Sequence, residues 1–157
     1  MELTEKDLEK FIEIACQCFQ KLAPGMSAFV PNEPVIALNQ TDFFDFTGVI
    51  ELSQKGEQGK ICLTMPESMI HELLGELGED QRTEETSLDL IGELASIISS
   101  NAREHFGSTL GISIPQSLTQ SQTAGLQLAP MRFILPLSRN NLTSHLVIAL
   151  GSPQPSA

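Results

Sequence analysis

Residues 89–106 read DLIGELASIISSNAREHF, and the side chains in this stretch that could do chemistry recur at helical spacing. On a helix turning about 100° per residue, Asp89, Ser96 and Ser100 fall within roughly 60° of Glu93, so two carboxylates and two hydroxyls share one face. Leu88, Ile91, Ala95, Ile98, Ala102 and Phe106 gather on the far side, while Gly92 and Ser99 line one shoulder. The pattern predicts an amphipathic helix whose apolar stripe packs on a sheet. Its wet side is sparsely charged, and Ser and Gly are mediocre helix formers. Small side chains let another backbone approach closely, which suits a docking surface. The same pattern also arises where another part of the chain, such as the segment after Gly107, lies over the helix.

Other chemistries find less support. Ser99, Ser100 and His105 are near one another in sequence, but no GxSxG elbow precedes them, and Ser100 and His105 sit about 140° apart on a helix. His71, His105 and His145 are scattered, and HELLGE lacks the second histidine of HExxH. Cys16 and Cys18 are two apart on a predicted helix and point to different faces, so with Cys62 they form no metal-ligand spacing. Reduced thiols in a cytoplasmic protein are the expectation.

The elements that must position the 89–106 helix follow from periodicity and turn signals. Thr4 opens a capping-type TEKD, and Leu8, Phe11, Ile12, Ile14, Ala15 and Phe19 predict a helix from about Thr4 to Leu22, closed by Pro24-Gly25. VPNEPVIALNQTDFF reads as extended. FTGVIELSQKGEQGKICLTM reads as a hairpin turning at KGEQGK. Pro66 opens a short helix, PESMIHELLGELG, and Thr86 or Ser87 is placed to cap the next one. The last third is strand-like: LGISIPQSLT, LQLAPMRFILPLS, a turn at RNN, then SHLVIALG, which could supply an uncovered sheet edge. Strands in hairpins rather than βαβ units give an α+β domain, a mostly antiparallel sheet with helices packed on one face. One domain is expected over 1–151, with 152–157 as a frayed tail.

The bulk properties narrow the partner. The 157 residues carry a net charge of −11, with no Trp or Tyr and eight Phe. All 20 acids lie in residues 1–104; after Glu104 only Arg132 and Arg139 are charged at neutral pH. Such a balance disfavours nucleic acid and anionic membrane and is compatible with a protein partner bearing a basic patch. The N-terminal MELTEKDLEKFIEIACQCFQK has no apolar signal core, and no apolar run reaches the length of a membrane span, so a cytoplasmic location is expected.

GELASIISSNAREHFG resembles the signature helix of the CheX/CheC/FliY family of chemotaxis phosphatases, in its CheX branch, where the helix reads approximately GEIxNxIxGNAK. Asp89, Gly92, Glu93, Asn101 and Ala102 fall on that pattern, and Arg103 stands where Lys is common. Pro115 in ISIPQ and the preceding hairpin and helix, FTGVIELSQKGEQGKICLTMPESMIHELLGELG, are similar as well, so the resemblance runs from about Phe44 to Leu150. It implies a CheC/CheX-like fold and a homodimer made by joining sheets. It also implies removal of the phosphoryl group from the aspartyl-phosphate of a CheY-type response regulator. The regulator would bring Mg²⁺, so the chain needs no cofactor of its own. Carried over, Glu93 is the residue that pairs with the regulator's lysine and Asp89 the acid one turn earlier. Gly92, Ser99 and Ser100 join Asp89 as docking positions. The sequence departs at the water-positioning asparagine, where Ser96 stands. A serine hydroxyl is shorter and lacks the two-ended amide, so the alternative is a receiver-binding or dimerisation domain of the same fold that does not catalyse. Asn101 lies about 140° around the helix from Ser96 and cannot replace it.

Overall fold

The structure, a computed structural model, describes residues 2–25, 28–39 and 42–153. Thr4 accepts a hydrogen bond from the Asp7 backbone N–H while the Asp7 carboxylate accepts from the Thr4 N–H, a reciprocal cap that starts α1, Glu5–Leu22. Two short strands follow, β1 (Val30–Pro31) and β2 (Val35–Leu38). A long hairpin comes next, β3 (Phe46–Gln54) and β4 (Glu57–Met65). Then come α2 (Glu67–Glu76) and α3 (Glu84–Phe106). The chain ends in β5 (Gly111–Ile112), β6 (Gln116–Thr119), a 3₁₀ turn at Ser121–Gly125, and the hairpin β7 (Met131–Arg139) and β8 (Leu142–Leu150). Of the expected C-terminal tail, residues 154–157 lie outside the described residues.

All strands pair antiparallel in one sheet, in the order β1-β7-β8-β4-β3-β5. β2 continues the β1 edge along the other half of β7, and β6 continues the β5 edge along the other half of β3. Both hairpins turn on two residues with positive φ, Lys55-Gly56 and Asn140-Asn141, the backbone shape that matches the twist of the flanking strands. The first turn is therefore tighter than KGEQGK: Glu57 to Lys60 already belong to β4.

All three helices cover one face of the sheet. Ile50, Leu52, Ile61, Leu63, Leu146 and Ile148 meet Phe11, Ile14, Leu73, Ile91, Leu94 and Ile98 there. A smaller cluster, Val49, Cys62 and Val147 with Leu118, Leu128 and Ala129, fills the opposite face. α3 crosses β3 at Gly48, where an added methyl would fall 2.5 Å from the Ile91 carbonyl oxygen and 2.9 Å from Ala95 Cβ.

Two sequence expectations are corrected. α3 is capped by Thr83, whose hydroxyl accepts from the Thr86 N–H while the Thr86 hydroxyl accepts from the Thr83 N–H. Thr86 is thus the reciprocal partner of the cap, and Ser87 is a buried first-turn residue. SHLVIALG supplies no edge: β8 lies between β7 and β4, paired on both sides.

Candidate functional site

The helical arithmetic holds for the polar strip of α3. Asp89, Glu93 and Ser100 are exposed and Ser96 is half-buried, in one line along the helix. On one flank runs α1, antiparallel to α3: Asp7 Oδ1 lies 3.7 Å from His105 Nε2, the Phe11 and Phe106 rings are 5.3 Å apart, and Cys18 comes within reach of Glu93. Burial, reinforced by the Glu93 charge and opposed by Lys21, pushes the Cys18 thiol up to about 11. It therefore stays protonated and inert at neutral pH.

On the other flank lies the segment between β5 and β6. The Ser117 hydroxyl donates to the Leu88 carbonyl at 2.7 Å. A methyl on Gly92 would meet Ser117 Oγ at 2.6 Å and Pro115 Cβ at 3.6 Å. Gly92 is small because this segment lies against it.

Gly92 and Ser99 are both buried, so the expectation that they contribute docking surface is corrected. Their shoulder of the helix is covered by the chain itself, and the Ser99 hydroxyl is enclosed without a hydrogen-bond partner. Asn101 is half-buried, and its position on the helix turns it toward the α1 flank, away from Ser96. The three histidines stay apart: His71 sits 3.9 Å from Glu67 on α2, His105 contacts Asp7, and His145 on β8 packs on Phe44. The alternative that another part of the chain lies over the small residues holds for Gly92, and the part is the segment after Gly107, at Pro115 and Ser117.

The strip has the shape of a surface rather than a pocket. The main clefts lie elsewhere, including one of about 480 Å³ lined by Glu51, Lys60 and Ser113, and none is lined by Asp89, Glu93, Ser96 or Ser100. Among the described residues no His, Cys, Asp or Glu joins Asp89 and Glu93 to make a three-ligand group. Two carboxylates one helical turn apart are a poor cage for a divalent ion, which needs six or more oxygens. The strip can pair with a cation on a partner and hold a water. It has no enclosure for a small substrate.

Residues 46–133, which include α3 and strands β3 to β6, match the family described as chemotaxis phosphatase CheX. The chain belongs to the CheX family. Its fold is that of solved CheC- and CheX-like proteins. A CheC-like superfamily protein from Shewanella sp. PV-4 superposes with a TM-score of 0.79 at 18% identity, covering 96% of this chain and 100% of that one. CheX from Vibrio vulnificus gives 0.78 at 16% identity, covering 92% and 99%. CheX from Borrelia burgdorferi, solved in a complex with CheY, BeF₃ and Mg²⁺, gives 0.72 at 16% identity, covering 92% and 97%. Comparison with curated proteins gives no match. Among the described residues no helix is long and apolar enough to cross a membrane.

Proposed function

We propose that this CheX-family protein docks a CheY-type response-regulator receiver through the α3 strip and hydrolyses its aspartyl-phosphate slowly. The observation that carries the reading is the line of exposed Asp89, Glu93 and Ser100 with half-buried Ser96 among them, on the helix that lies within the family match. The Borrelia CheX complex with CheY supports a receiver as the partner, with Mg²⁺ belonging to that assembly. In the reaction, a water oxygen bonds to phosphorus, the bond from phosphorus to the aspartyl oxygen breaks, and inorganic phosphate leaves. Such a step requires an oriented nucleophile in line with the leaving oxygen and little covalent chemistry from the protein. Glu93 pairs with the receiver's lysine and fixes the docking register. Ser96, one turn from Gly92 and at the centre of the strip, holds the water with a single short hydroxyl. Where an amide would grip the water from two ends, the hydroxyl leaves it free to swing, and rate falls steeply with misorientation.

Ser96 also favours a second reading, in which the strip binds the phosphorylated receiver and leaves its phosphate intact. One experiment separates the two: the decay of a phosphorylated receiver with wild type, Glu93→Ala and Ser96→Asn. The expected result is modest acceleration by wild type, a further gain on the order of tenfold in Ser96→Asn, and loss in Glu93→Ala. No acceleration by wild type with a gain in Ser96→Asn selects the binding-only reading. No effect of any variant on any receiver would sink both.

The protein is further proposed to act as a homodimer joined through β2. That strand is an edge of the sheet, paired among the described residues with β7 alone. Ile36, Leu38 and Met131 are 63%, 67% and 49% exposed. They share the helix side of the sheet beyond the reach of the helices, Ile36 opposite Phe133 and Leu38 opposite Met131. Between Val30 and Leu38 the only charge is Glu33, so little opposes the approach of a second copy.

A further inference from the structure

The geometry points to Ile114 as an apolar anchor for the receiver, seated beside the α3 strip; this rests on the docking face proposed above. Ile114 is 87% exposed, the most exposed large apolar side chain among the described residues. Most of the others, Val30, Val35, Ile36, Leu38 and Met131, belong to the β1/β2 edge, and Leu77 follows α2. Ile114 stands apart from both groups. Its neighbour Pro115 packs on the Gly92 backbone, one residue before Glu93 and one helical turn before Ser96.

A single exposed isoleucine is ordinary on a protein surface. What distinguishes this one is how firmly it is held out. The Ser113 N–H donates to the Glu51 carbonyl at 3.0 Å, and the Glu51 N–H donates to Ser113 Oγ at 2.8 Å. The Ser113 hydroxyl in turn donates to the Ile114 carbonyl at 2.9 Å. Pro115 fixes the next φ and rests against α3, and Ser117 ties the far side to Leu88. Ile114 is thus pinned before and after, so burying it in a partner costs little ordering entropy.

The strip beside it is polar and acidic, and such faces select and steer a partner more than they hold it. A projecting isoleucine supplies the apolar burial that the strip lacks, worth on the order of tenfold to a hundredfold in affinity. The receiver it fits carries an apolar depression next to its phosphorylated carboxylate and lysine.

The test is the affinity of the protein for a CheY-type receiver charged with beryllofluoride and Mg²⁺, alongside phosphate decay at rising protein concentration. Ile114→Ser is expected to weaken binding on the order of tenfold to a hundredfold and to leave the decay rate at saturating protein unchanged. Ile114→Leu is expected to restore most of the affinity. Being fully exposed, the position tolerates both changes without loss of fold, which circular dichroism checks. If wild type binds the receiver and Ile114→Ser binds equally well, the anchor is disproved while the α3 reading stands. If wild type neither binds nor accelerates decay for any receiver, and Ser96→Asn fails too, the docking face itself is wrong and the anchor falls with it.

Discussion

At the scale of single residues, the strip of α3 shows what one sequence can and cannot disclose. Asp89, Glu93, Ser96 and Ser100 were legible because exposure along a helix follows its 3.6-residue period. Gly92 and Ser99 were not, because the segment that covers Gly92, Pro115 to Ser117, comes from more than 20 residues further along the chain. Small residues look the same in sequence whether a partner or the chain's own backbone lies over them. His145 is half-buried on β8, its Nδ1 enclosed without a hydrogen-bond partner and its ring packed on Phe44 at 5.0 Å. Burial holds its pKa below the ordinary histidine value, and Asp42 opposes that shift. Protonation therefore favours the unfolded chain, whose histidine binds a proton at about pH 6.5. The stability tied to neutral His145 is present above that pH and declines as pH falls through it. Chemical denaturation at pH 7.5, 6.5 and 5.5 should show a decline that His145→Gln reduces. Equal slopes in the two proteins would remove His145 from the account.

At the scale of elements, both long hairpins and all three helices could be read from pattern, since alternation, helical spacing and Gly or Asn turns are local signals. The cap of α3 was misplaced by three or four residues because RTEETS offers several hydroxyls, and only geometry shows that Thr83 and Thr86 satisfy each other. The close crossing of α3 over β3 left no periodic trace either; it rests on the missing side chain at Gly48. Gly48→Ala should destabilise the fold by about 1–3 kcal/mol, the usual range for forcing a methylene into a packed core, because the methyl meets a helix backbone that cannot rotate away. Urea denaturation measures the change. The variant should also weaken receiver docking by shifting α3, while Ala substitution at exposed Gly125, which has open space around it, should do neither.

At the scale of the whole molecule, strand order was the least legible property. SHLVIALG was read as an edge, yet residues 146–149 are all buried and both neighbours of β8 are strands. An apolar run without alternation is itself the mark of a strand covered on both faces. One of the true edges, β2, leads to the prediction for assembly. Light scattering of the wild type at micromolar concentration should give twice the 17.1 kDa chain mass. Ile36→Lys, which sets a charge on the exposed edge without touching the helix layer, should give the monomer. A wild type that is monomeric at these concentrations would refute the β2 interface.

The central place of β8 has a further consequence for how the chain is made. Ile61 on β4 finds its sheet partner Ile148 only after 87 further residues have been made. At ribosomal speeds of about 5–20 residues per second, the wait is on the order of ten seconds. Until then the β3–β4 hairpin has one long side of β4 unpaired. A nascent chain of this design meets the cell as an open, adhesive ribbon, and β8, central in the sheet yet distant in sequence, is the strand that closes it.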